Sequence, residues 1–151
     1  MAAERLTETE LAAWQAFLHA HELVTTRLDS ELRREHDLTW SEYDVLVRLA
    51  RARGRSLRMT ELAQRVMMSP SGLTRAVDRL VAENLVDRHR DPEDARAVFA
   101  YLTDEGRDRV RKAARTHFRG IREHFSGRLN RTQLHNVASA LGTIAGPHEP
   151  H

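Results

Sequence analysis

No cysteine occurs anywhere in the 151 residues. Disulfides, thiolate metal sites, cysteine nucleophiles and cysteine-based redox sensing are excluded together. Lysine is nearly absent as well: Lys112 is the only one, so arginine carries the positive charge. No apolar run approaches the roughly 18 residues that a membrane span needs, so no membrane partner is expected. The opening MAAERLTETE is acidic and polar, unlike a secretory signal, and the expected location is cytoplasmic. Catalytic signatures are missing too. No serine stands in a nucleophile elbow, and there is no glycine-rich phosphate loop. Glu93 and Asp94 are neighbouring carboxylates, but in a loop where little would raise a pKa. An enzyme is therefore not expected, and no cofactor is implied.

What is present reads as one ordinary globular domain spanning 1–151, with 40% hydrophobic and 30% charged residues. The formal net charge is only +2, yet the pI is about 9.6 because the guanidinium groups hold their protons to very high pH. The local distribution says more. Arg48, Arg51, Arg53, Arg55 and Arg58 crowd one stretch, and Arg88, Arg90 and Arg96 another.

Periodicity lays out the elements. Thr7 with Glu10 matches a capping box, opening a long helix to about Glu35. Leu11, Trp14, Leu18, His21, Thr25, Leu28 and Leu32 recur along it in steps of three and four, on one face. Such a long stripe with polar steps suits half of a subunit interface. Ser41 with Asp44 makes a second capping-box match, starting an apolar helix that ends near Arg53-Gly54. An arginine-rich loop, 51–58, follows, and Thr60 is placed to cap a short third helix. In Met68-Ser69-Pro70-Ser71-Gly72, Ser69 is a good N-cap and Pro70 fits the first helical position. The fourth helix then buries Leu73, Val77, Leu80 and Val81, and Asn84 tolerates the left-handed turn after it. Leu85–His89 and Ala97–Leu102 alternate as strands around the turn RDPEDAR, predicting a hairpin. Thr103 caps a long fifth helix, and Thr132–Ile144 reads as a sixth. The tail GPHEPH is expected to be disordered.

A short helix, a tight turn, a capped helix and a hairpin make a winged helix-turn-helix. A helix N-terminus with small residues can approach the major groove closely, its free amides meet phosphates, and an arginine can fork onto a guanine edge. Ser69, Ser71, Gly72 and Thr74 supply the small polar set, with Ser69 mainly a cap and Ser71 a phosphate ligand. Arg75 is the fork. Arg79, one turn on, suits a phosphate, as does Arg55 or Arg58 beside the third helix. Arg96 at the hairpin tip is the candidate for the flanking minor groove.

At these residues the chain resembles the MarR family of bacterial regulators. The likeness runs through LRMTELAQRVMMSPSGLTRAVDRLVAENLVDRHRDPEDARAVFAYLTDEGR, from Leu57 to Arg107. It includes the S-x-s-x-x-T-R reading helix, the D-x-R wing as Asp94-Ala95-Arg96, and the LT-x-x-G start of the next helix. The resemblance implies a mainly α fold with a small β-hairpin, four helices, two strands and two more helices in order, as an obligate dimer. It implies a DNA-binding lobe over 38–103 and a helical dimerisation lobe from 7–36 and 104–146. It also implies a regulator, usually a repressor, on double-stranded DNA, its affinity altered by a small-molecule effector. Asp94 would then buttress Arg96. Asn84 stands where the family usually has glycine, and Asp91, Glu93 and Asp94 leave the wing without a net basic charge.

Other readings remain open at this point. Trp14, His21 and His117, with Arg27 and Asp44 as further polar groups, are candidates to line an effector pocket. The nine histidines invite a metal reading, but His19-x-His21 and the pair His117 and His124 lack the close helical spacing of ligands, so no metal site is expected. The competing function is an architectural DNA-binding protein with no effector, which would bind by phosphates and shape alone. Two copies of the fourth helix in successive major grooves predict a pseudo-palindromic site with half-sites roughly 10 base pairs apart.

Overall fold

The computed structural model describes residues 5–146. Six helices and three strands follow in order: α1 Glu8–His36, α2 Trp40–Arg51, β1 Ser56–Arg58, α3 Met59–Arg65, α4 Pro70–Ala82, β2 Val86–Arg90, β3 Val98–Leu102, α5 Asp104–His124 and α6 Arg131–Ala145. No helix among the described residues is long and apolar enough to cross a membrane. Residues 147–151, which hold most of the expected disordered tail, lie outside the described residues.

Local chemistry sets most of the boundaries. Thr7 and Glu10 form the expected capping box on α1, and Thr103 caps α5 by accepting the Gly106 amide at 2.9 Å. Asn84 takes the left-handed conformation, with φ 59°. Three expectations need correction. The box on α2 is Thr39 with Glu42, not Ser41 with Asp44. Glu42 reaches back to the Thr39 amide at 2.9 Å, while the shorter Asp44 is turned toward Arg48. The third helix starts at Met59 with Arg58 as its uncapped N-cap, rather than at Thr60. The stretch 51–58 is not all loop: a 3-10 turn at Arg53–Arg55, with Gly54 at φ 66°, leads into β1.

The expected hairpin forms from β2 and β3, and β1 extends it by pairing antiparallel with β3 (Ser56 opposite Tyr101), giving a three-stranded sheet ordered β1-β3-β2. Arg55 fastens that corner, donating to Tyr101 Oη and Asp104 Oδ1, both at 2.8 Å. The core lies between α2, α3, α4 and the sheet. Leu46, Leu49, Leu62, Leu80 and Leu102 are fully buried there, each contributing about 1.5–3 kcal/mol by leaving water.

The turn between α3 and α4 is strained at one residue. Met67 holds φ 54°, a left-handed conformation, with its side chain 93% exposed. Such backbone costs a residue with a Cβ about 1–2 kcal/mol, and the exposed side chain offers little packing in return. Met67→Gly is therefore expected to stabilise the fold by about 0.5–1 kcal/mol after glycine's own entropy is counted. A denaturant midpoint at or below that of the parent would refute this.

Helix α1 is joined to the rest of the chain along its C-terminal turns. Leu28 and Leu32 are buried, whereas residues 8–23 are exposed throughout. A polar seam to α5 follows. Arg119 donates to Glu35 Oε1 at 2.6 Å, and the Thr116 hydroxyl donates to Glu35 Oε2 at 2.9 Å. With its one proton committed there, Thr116 accepts from His36 Nε2–H, 2.8 Å away. Burial pushes the His36 imidazole below its usual pKa. Arg119 and Thr116 hold the Glu35 carboxyl down at about 2. A carboxyl lowered in the folded state stabilises it above the unfolded pKa of about 4.3, and that stabilisation is lost as pH falls toward the folded value. Glu35→Gln is thus expected to flatten the fall in urea midpoint between about pH 4.5 and 2. Parallel pH profiles for variant and parent would contradict this.

Candidate nucleic-acid interface

The start of α4 is built as the sequence implies. Ser69, in extended backbone, accepts the Gly72 amide at 3.1 Å, and Pro70 occupies the first turn. A Cβ on Gly72 would stand 3.0 Å from Ser69 Oγ, so glycine leaves the cap uncrowded. Ser71 Oγ lies 3.4 Å from Ser69 Oγ, and Thr74 donates to the Pro70 carbonyl at 2.9 Å, which leaves its oxygen able to accept. Leu73, Ala76, Val77 and Leu80 face the core, so Ser71, Thr74, Arg75 and Asp78 fall on the solvent side. The amides of this first turn and the positive end of the helix dipole therefore share one open surface.

The arginines separate by partner. Arg79, expected at a phosphate, is held inside the subunit: it donates to the Asp37 carbonyl and carboxylate, both at 3.0 Å, and pairs with Glu42 at 3.3 Å. Three acidic side chains around one guanidinium, Glu83 being the third at 3.9 Å, make that position a brace for α4. Arg88 on β2 pairs with Asp78 and ties the sheet to the exposed side of α4. Arg58 is exposed with its guanidinium over the Phe99 ring, 5.5 Å from the centroid. Arg75 and Arg96 are exposed and in no ion pair among the described residues.

The wing tip is shaped by its aspartates. Asp91 Oδ1 accepts the Glu93 amide at 2.9 Å, and Asp94 Oδ1 accepts the Arg96 amide at 3.0 Å. Asp94 thus fixes the backbone that bears Arg96, whose guanidinium is in no ion pair among the described residues.

Of the expected effector residues, the structure brings two together. Asp44 and His117 share a cleft of about 190 Å³ between α2 and α5, with Trp40, Tyr43, Val47 and Ile121. Trp14, His21 and Arg27 are not in its lining. They lie in the exposed part of α1, where the ring neighbour of Trp14 and of His21 is Phe17. Tyr43, not singled out as a pocket residue, stands 4.9 Å from the His117 ring, and burial raises its phenol pKa. An aromatic on the inner stripe of α2 next to Asp44 was the available signal.

This geometry defines the class: a winged helix-turn-helix protein with an open reading helix and wing. The family model described as MarR family matches residues 36–97. The solved structure of AbsC, a MarR family transcriptional regulator from Streptomyces coelicolor, is 36% identical, with a TM-score of 0.86 over 95% of this chain and 96% of that one. Sco3205, a MarR family regulator from the same organism solved in complex with DNA, is 34% identical, with a TM-score of 0.88 over 98% of this chain and 93% of that one. The transcriptional repressor MdtR of Bacillus subtilis is 41% identical over 51 residues, 34% of this chain and 33% of its own. The chain belongs to the MarR family of transcriptional regulators.

Proposed function

We propose that the protein is a repressor that binds a pseudo-palindromic operator as a homodimer in the cytoplasm. The observation that carries this reading is Arg75, exposed on the open first turns of α4 beside a wing that exposes Arg96, neither of them in an ion pair among the described residues. In it, Arg75 forks onto a guanine, Ser71 and the first amides of α4 meet phosphates, and Thr74 packs at a base edge. Ser69 and Gly72 keep that turn open, Asp94 positions Arg96 over the minor groove, and Arg58 reaches a flanking phosphate. In this reading Arg79 serves α4 as a brace, through its pairs with Asp37 and Glu42.

The remaining surface supports the dimer. Leu11, Trp14, Phe17 and Leu18 are all more than 40% exposed on α1, and no residue of α6 is buried. An apolar surface of this kind calls for a cover. A dimerisation lobe of 7–36 and 104–146 would place two DNA-binding lobes, 38–103 each, on one duplex. A small molecule in the α2–α5 cleft, at Asp44 and His117, would alter DNA affinity only by favouring one spacing of the two α4 helices. The repressor sign follows the role that MdtR's name states.

Genomic footprinting followed by shift assays at fixed salt tests this. Protected half-sites roughly 10 base pairs apart are expected. Equal affinity for random DNA would point instead to an architectural protein. Arg96→Ala is expected to weaken binding mainly at operators with A·T-rich flanks, where the minor groove is narrow and negative. An equal loss on G·C-rich flanks would refute minor-groove insertion.

A further inference from the structure

We propose that Glu31, Glu123 and His124 form a site for a zinc-class divalent cation that clamps α1 to the C-terminal end of α5. A ligand atom from each of the three lies within 4.8 Å of the other two. Glu31 Oε1 and His124 Nε2 are 2.6 Å apart, with the side chains 14% and 9% exposed. That contact leaves the pair incomplete. Glu31 Oε2 and His124 Nδ1 are both shielded from solvent and have no hydrogen-bond partner among the described residues. A carboxylate oxygen shielded from solvent without a donor is costly to keep, and a cation held by the Glu31 carboxylate would supply its missing partner.

The backbone makes room for this carboxylate. A Cβ on Gly120 would stand 2.5 Å from Glu31 Oε2 and 2.6 Å from Leu28 Cδ2, so the missing side chain creates the niche. The charge is suitable as well. Arg119 feels both Glu31 and Glu123, but its guanidinium is tied to Glu35 at 2.6 Å. With His124 neutral, as a metal ligand must be, the cluster presents two carboxylates and one imidazole. One nitrogen and two oxygens suit a borderline ion such as Zn²⁺, with a fourth position left for water; Ca²⁺ and Mg²⁺ ask for more oxygens. Bonds of about 2.0–2.2 Å require Glu31 and His124 to part slightly and the exposed Glu123 to swing inward. Sequence spacing hides the site because Glu31 and His124 are 93 positions apart.

The test uses the full chain stripped with chelator, titrated with Zn²⁺ by calorimetry and with Co²⁺ by visible absorption. The parent is expected to take up one ion per chain saturably, to show tetrahedral Co²⁺ bands and to melt higher with Zn²⁺ but not with Mg²⁺. Glu31→Gln should abolish these effects. Glu123→Gln, at an exposed residue whose loss leaves the fold intact, should weaken uptake by about 10–100-fold and settles the matter if Glu31→Gln fails to fold. No saturable uptake by the parent would overturn the proposal. So would uptake and Co²⁺ bands unchanged in Glu123→Gln, which would assign the ion to other histidines.

Discussion

Arg75→Ala is expected to remove operator-specific binding while leaving the fold untouched. The side chain is exposed and makes no ion pair among the described residues, so truncation breaks nothing within the subunit. A bidentate arginine–guanine contact is worth about 1–3 kcal/mol, and a two-fold operator uses it twice, so the loss is about 2–6 kcal/mol. At a factor of ten for every 1.4 kcal/mol, affinity falls roughly 30-fold to 10⁴-fold. Binding to random DNA, which rests on phosphates and helix amides, should change far less. Fluorescence anisotropy on operator and random duplexes at one salt concentration separates the two. An unaltered preference for the operator would remove Arg75 from the reading set.

The largest stability effect is expected at Gly106. This residue sits in the first turn of α5, where the helix docks onto the junction between α4 and β2. Thr103 donates from its amide to the Leu85 carbonyl at 3.1 Å and from its hydroxyl to the Asn84 carbonyl at 2.8 Å. A Cβ on Gly106 would come within 2.1 Å of the Leu85 carbonyl oxygen and 2.7 Å of Leu102 Cδ1. The first of these obstacles is backbone and cannot rotate away. Gly106→Ala should therefore push α5 off the sheet and cost about 2–4 kcal/mol, lowering the melting point by roughly 5–15 °C. Coincident melting curves would mean that the docking is looser than these distances imply.

Both sites bear on how much the sequence disclosed. The start of α4 was legible because its chemistry is local: Ser69, Pro70 and Gly72 act on one another within a single turn. Asn84 and the hairpin were legible for the same reason. Strand β1 was not, since three residues acquire strand character only from β3, which joins Ser56 to Tyr101. Two overlapping capping matches obscured the start of α2, and burial of Glu42 decided between them. The arginines were the hardest. Arg75 and Arg79 are one turn apart and chemically identical, and what separates them is a set of carboxylates. Asp37 and Glu42 of that set arrive from before α4 in the chain. No spacing rule reaches that far.

The brace at Arg79 has a mechanical consequence. One guanidinium bolts the corner between α1 and α2, through Asp37, to the buried start of α2 and to the far end of α4. These contacts couple the tilt of the reading helix to that corner. Torque on the long helices would pass through this joint to the corner and α4 together, so the grip on DNA would open and close by swinging whole arms rather than by flexing a fingertip.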